Sequence, residues 1–142
     1  MSRTWRVRVR RLPRYGLPFV WVRLDGLVSA GMVVSSGEPS TVLAPLVADD
    51  VRRYAGAVPS RGRRVIAGDA APLIVPLQRV RSLEVPAADG DRLRLGPITA
   101  AVSPRAQVLG VGGILGVDLL SRFARITYEL GPPDWLTLEA RD

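Results

Sequence analysis

The sequence predicts a mostly β protein carrying one or two short helices, and three observations lead there. Along the N-terminal segment Trp5, Val7 and Val9 alternate with Arg6, Arg8 and Arg10; a period of two marks a strand with one apolar and one basic face. Asp25-Gly26 stands between two runs rich in β-branched residues, and both turn residues tolerate positive φ, which favours a tight hairpin. Only one stretch, Pro45 to Ala55, combines helical apolar spacing with a start and a stop signal. The 142 residues suit one domain.

The elements follow in order. The alternating basic strand and the Pro13 to Pro18 loop make up residues 1–18, and residues 19–142 form the rest of the same single domain. Phe19 to Leu24 and Leu27 to Val34 are the arms of the hairpin. Ser35 to Ser40 reads as a loop, and Thr41 to Leu43 as a short apolar strand. In the helix, Pro45 fits the first turn and Gly56 the residue past the end. Val47, Val51 and Tyr54 share its core face. Pro59 to Ala71 is rich in Arg, Gly and Ala with a small apolar pair at Val65-Ile66, and around Gly68 it reads as a plain surface loop. Leu73 to Leu77, Val80 to Val85, Arg92 to Leu95 and Ile98 to Val102 are short strands, with a turn at Ala88 to Asp91. Val108 to Gly116 is glycine-rich and uncharged. Val117 to Phe123 reads as a short helix, and Ile126 to Leu130 and Trp135 to Leu138 as closing strands.

Composition narrows the chemistry. The chain has no cysteine, histidine or lysine, and its 20 basic residues are all arginine. Disulfides, thiolate catalysis, imidazole or thiolate zinc sites and the usual bases for a serine nucleophile are thereby excluded. No acidic cluster suggests a carboxylate metal site, so no cofactor is expected. The net charge of +7 comes almost entirely from Arg3, Arg6, Arg8, Arg10, Arg11 and Arg14, because no acid precedes Asp25. The plain reading of that stripe is a solvated outer strand whose charges deter edge pairing. The functional reading is a contact for phosphate, nucleic acid, an anionic membrane surface or an acidic protein, through Arg6, Arg8 and Arg10. With no signal peptide and no uncharged run near the ~20 residues a spanning helix needs, a cytoplasmic location is expected.

Two segments become specific when taken together. One runs from Leu24 through Asp25-Gly26 to Val33-Val34-Ser35-Ser36-Gly37 and on to Thr41-Val42-Leu43. The other is Gly113-Ile114-Leu115-Gly116-Val117-Asp118-Leu119-Leu120, followed by Ile126-Thr127-Tyr128 and Leu136-Thr137-Leu138. Their order and separation resemble the retropepsin-like aspartic proteases, over roughly residues 19 to 138. The resemblance implies a closed β barrel, a flap whose tip falls at Gly68, and a structural C-terminal motif of Ile114, Leu115, Gly116 and Asp118. It also implies a twofold dimer, with Trp135 and the strand Leu136 to Leu138 as candidate interface.

The departure lies in the catalytic loop. Aligning Val33-Val34 with the family's apolar pair puts Ser35 at the aspartate, Ser36 at the threonine, Gly37 at the glycine and Glu38 at the alanine. Two facing aspartates share one proton and so act as acid and base on water. A serine hydroxyl does not ionise near neutral pH, and nothing in this composition would activate Ser35 or Ser36. The expected function is therefore a catalytically inactive subunit, a homodimer or part of a larger complex, with a peptide as candidate occupant of any residual groove. An active endopeptidase using Glu38, and a basic barrel binding nucleic acid or an anionic surface, are the alternatives. Asp118 reads as a capping or pairing residue, Asp25 as a turn residue, and the glycines at 110, 112 and 113 as tight packing rather than a phosphate loop.

Overall fold

In the computed structural model, residues 3–66 and 70–141 are described. Strands hold 51% of the described residues and helices, counting a 3-10 turn at Ala88–Gly90, 16%, so β structure dominates as the alternation predicts. The strands are β1 (Thr4–Arg11), β2 (Pro18–Leu24), β3 (Val28–Val34), β4 (Val42–Leu43), β5 (Pro59–Ile66), β6 (Leu73–Val80), β7 (Leu83–Pro86), β8 (Arg92–Leu95), β9 (Ile98–Val102), β10 (Gly113–Leu115), β11 (Phe123–Glu129) and β12 (Asp134–Ala140). Three helices interrupt them: α1 (Pro45–Ala55), α2 (Arg105–Val108) and α3 (Val117–Leu120). Among the described residues, no helix is long and apolar enough to cross a membrane.

The strands join in one sheet ordered β11-β12-β1-β2-β3-β10-β4-β9-β6-β5, with β7 against β2 and β8 against β7. The expected closed barrel is corrected here: among the described residues β5 and β11 end the path unpaired, and the sheet stays open. Charge and exposure suit both strands to an edge, since β5 carries Arg61, Arg63 and Arg64 and β11 is exposed from Ala124 onward. The main core gathers Val7 and Val9 of β1, Val20, Val22 and Leu24 of β2, Met32 of β3, and Leu83, Leu119, Leu136 and Leu138. A smaller cluster joins Val42, Ala101 and Ile114 to Ile66 and Val75.

The hairpin turn has the conformation its residues favour, with Asp25 at φ 49° and Gly26 at φ 75°. Asp25 also reaches across the fold. Its Oδ1 accepts from the backbone N–H groups of Arg81 (2.7 Å) and Ser82 (3.0 Å). That clamp bends the chain between β6 and β7, so the expected strand Val80 to Val85 is broken at Arg81-Ser82. α1 starts at Pro45 and ends on Gly56 in the left-handed region, φ 66°.

Further expectations change. Pro59–Ile66, to which the composition assigns no element, is a strand: β5 pairs with β6 through a register shift between Ser60 and Arg63. Gly68 lies outside the described residues. Gly113–Leu115 is a buried strand despite its glycine, and α3 stops at Leu120 because Phe123 begins β11 and packs edge-on against Trp5 (centroids 6.4 Å apart). β1 is an internal strand, between β12 and β2. β12 is internal too, with Leu136 and Leu138 buried in their own core, so the terminal strand is not the free surface expected of an interface.

Candidate functional site

One insertion governs the loop that the sequence singles out. β10 lies between β3 and β4, parallel to the first and antiparallel to the second. The β3–β4 connection must therefore arch over the end of β10, where α3 begins. Three backbone bonds tie the arch down: Ser35 N–H to the Leu115 carbonyl (3.1 Å), Val117 N–H to that of Glu38 (2.8 Å), and Asp118 N–H to that of Pro39 (3.2 Å). Ser35 is half-buried, while Ser36 and Gly37 are exposed.

Gly116 allows the close approach. A Cβ there would stand 2.6 Å from the Glu38 carbonyl oxygen and 2.7 Å from the Ser40 carbonyl carbon. Gly113 is equally confined, by the Val42 carbonyl oxygen at 2.5 Å. Ile114 and Leu115 are buried beside it. Gly37 is different: its added Cβ would meet only the Ser35 hydroxyl, at 3.8 Å, and its φ is not positive. This loop conformation therefore does not require a glycine at position 37.

Asp118 anchors the arch. Both its carboxylate oxygens accept from the Thr41 N–H (3.0 Å each), and Oδ1 also accepts from Thr41 Oγ1 (2.6 Å) and the Leu119 N–H (2.9 Å). Thr41 Oγ1 in turn accepts from the Gly116 N–H at 3.2 Å, and Thr41 is fully buried. Asp118 thus serves a local hydrogen-bond network. Glu38 is also engaged: it is 4% exposed, and Arg105 Nη1 on α2 donates to its Oε2 at 2.7 Å. Sequence reasoning did not single out Thr41 or Arg105 as partners. Thr41 was visible as a polar residue opening an apolar run, but nothing local marks Arg105, 67 residues from Glu38.

The arginine stripe is partly neutralised from afar. Arg3 meets Asp91 (2.8 Å), Arg6 meets Glu129 (3.2 Å) and Arg11 meets Asp134 (2.6 Å). Arg6 and Arg8 also stand over the Trp135 ring, at 4.2 and 5.9 Å from its centroid. Arg8 and Arg10 have no acidic partner among the described residues. The same residues contain no group of three acidic side chains placed to hold a metal.

Asp134 is nearly buried, and it accepts from Arg11, from the Tyr128 hydroxyl (2.8 Å) and from the Gly131 N–H (2.8 Å). Arg11 first, then these two donors, hold its carboxyl down at about 2. A carboxyl lowered on folding favours the fold above its unfolded value near 4, and that contribution is lost as pH falls from about 4 through about 2. Asp134→Asn is therefore expected to lower neutral-pH stability and flatten the stability profile across that window. Denaturant titrations at several pH values check this; an unchanged slope in the variant would remove Asp134 from the acid response.

No protein-family model and no curated protein matches the sequence. Solved structures do. The chain is similar to a retropepsin-like aspartic protease from Rickettsia conorii, with a TM-score of 0.57 and 15% identity over 99% of this chain and 94% of that one. It also aligns with the retroviral protease-like domain of Ddi1 from Leishmania major, with a TM-score of 0.40 and 17% identity over 80% of this chain and 82% of that one. At such identity the likeness shows the fold, which is retropepsin-like.

Proposed function

We propose that this chain is a catalytically inactive, aspartyl protease-like subunit that acts in binding or complex assembly, as a dimer or within a larger complex. One observation carries the reading. In the arch between β3 and β4, Ser35, Ser36 and Gly37 bring no carboxylate, and the one acid of that arch, Glu38, is paired with Arg105. A buried carboxylate already hydrogen-bonded to a guanidinium is not free to orient and deprotonate a water. Asp118 offers no substitute, because both its oxygens accept from Thr41.

The purified chain is expected to cleave no peptide from a mixed library at acidic or neutral pH. Ser35→Asp alone is expected to add no measurable cleavage, because Ser36, Glu38 and Pro39 also differ from the protease pattern. Cleavage by the unmodified chain that Glu38→Gln abolishes would replace this reading with the active endopeptidase. Light scattering at micromolar concentration tests assembly, and a monomer that no partner peptide or protein converts would remove that half of the proposal.

A further inference from the structure

We propose that the outward face of β2 is a binding trough for single-stranded nucleic acid, separate from the Ser35 arch. Three clefts adjoin there. The first, about 530 Å³, is lined by Arg8, Arg10 and Phe19 among others. The second, about 430 Å³, shares Phe19 and adds Trp21 and Gly31. The third, about 510 Å³, shares Trp21 and adds Arg23. None of the three includes residues 35–38.

The middle of the trough is aromatic. Phe19 and Trp21 meet edge-on with centroids 5.9 Å apart. Gly31 lies opposite Trp21 in register and supplies a floor without a side chain: a Cβ there would stand 3.2 Å from the Phe19 ring. Trp21 nevertheless remains 52% exposed, which leaves ring surface for a stacked base.

The charges select the occupant. Each carboxylate lining the trough already has a guanidinium: Glu84 has Arg92 (3.6 Å), Asp91 has Arg3 (2.8 Å) and Asp134 has Arg11 (2.6 Å). Arg8, Arg10 and Arg23 line it with no acidic partner among the described residues. Arg10 pairs across from Phe19, and Arg23 follows Trp21 by two positions on the same face. The two guanidiniums thus bracket the rings over about 13 Å of strand. Cations flanking an exposed ring are what a sugar–phosphate chain with unstacked bases requires. An acidic peptide would use the arginines and leave the indole idle.

The test titrates the full chain with a short oligothymidylate and reads tryptophan fluorescence, with anisotropy of a labelled strand in parallel. Saturable binding is expected, with log K falling against log salt at a slope of about −2, as three phosphate contacts imply. Trp21→Ala should weaken binding roughly tenfold. The double variant Arg8→Gln, Arg10→Gln should bring the slope to about −0.7. Its side chains lie outside the core, so this arm decides the matter even if Trp21→Ala misfolds. Absence of saturable binding, or an unchanged slope in the double variant, would overturn the proposal. Equal competition by an acidic peptide with the same Trp21 dependence would overturn it as well, and would assign the trough to acidic proteins.

Discussion

Asp118→Ala is expected to cost about 3–5 kcal/mol, the largest effect of any single polar substitution in the arch. The substitution strands two buried donors, the Thr41 N–H and hydroxyl, both of which Asp118 receives. Each buried donor without a partner costs about 1–3 kcal/mol, and bonds to a charged acceptor sit at the upper end. Thr41, with no measurable exposure, cannot turn to water instead. Denaturant midpoints measure the loss. A double-mutant cycle then separates the network from simple side-chain removal: in a Thr41→Val background, Asp118→Ala should cost at least about 1 kcal/mol less. A loss under ~1 kcal/mol for Asp118→Ala would mean that the network contributes little to holding the arch.

Gly116→Ala is expected to destabilise the fold by about 3 kcal/mol and to lift the arch off α3. The backbone at Gly116 has φ −98°, open to any residue, so the cost is one of space alone. The atoms in the way, the Glu38 and Ser40 carbonyl groups, are main chain. They cannot escape by changing rotamer, which places the change at the upper end of overpacking costs. Gly37→Ala is the control, expected within ~0.5 kcal/mol because its added methyl makes only an ordinary contact with the Ser35 hydroxyl. Amide exchange should show faster opening at Val117 and Asp118 in Gly116→Ala, since their N–H groups bond to the arch carbonyls. Equal stability of the two variants would show that the arch tolerates displacement.

Some local features follow from adjacent residues alone, though Tyr54, placed on the core face of α1 by its spacing, is exposed. The Asp25-Gly26 turn, the ends of α1 at Pro45 and Gly56, and the alternation in β1 each follow from the preferences of a few adjacent residues. The spacing of Gly116 and Asp118 in the C-terminal motif was equally visible, and with it the retropepsin-like class. Failures came where a distant partner decides. β5 has the composition of a loop and becomes a strand because β6 pairs with it. β10 is only three residues long and glycine-rich, and is held by β3 and β4 from either side.

The same division holds for the candidate site. The sequence by itself determined that the arch carries Ser35, Ser36 and Gly37 with Glu38 as its one acid, and that the chain has no histidine, lysine or cysteine. Only the tertiary structure decided that Glu38 is taken by Arg105, that Thr41 and Asp118 share one network, and that half the N-terminal arginines find acids more than 80 positions away. It also made β1, read as an outer strand, an internal one, and packed Leu136 and Leu138 of the candidate interface strand into their own core. The physical reason is common to all of these: a side chain's pairing depends on which residues the folded topology brings within a few ångströms, and spacing along the chain carries that information only for neighbours.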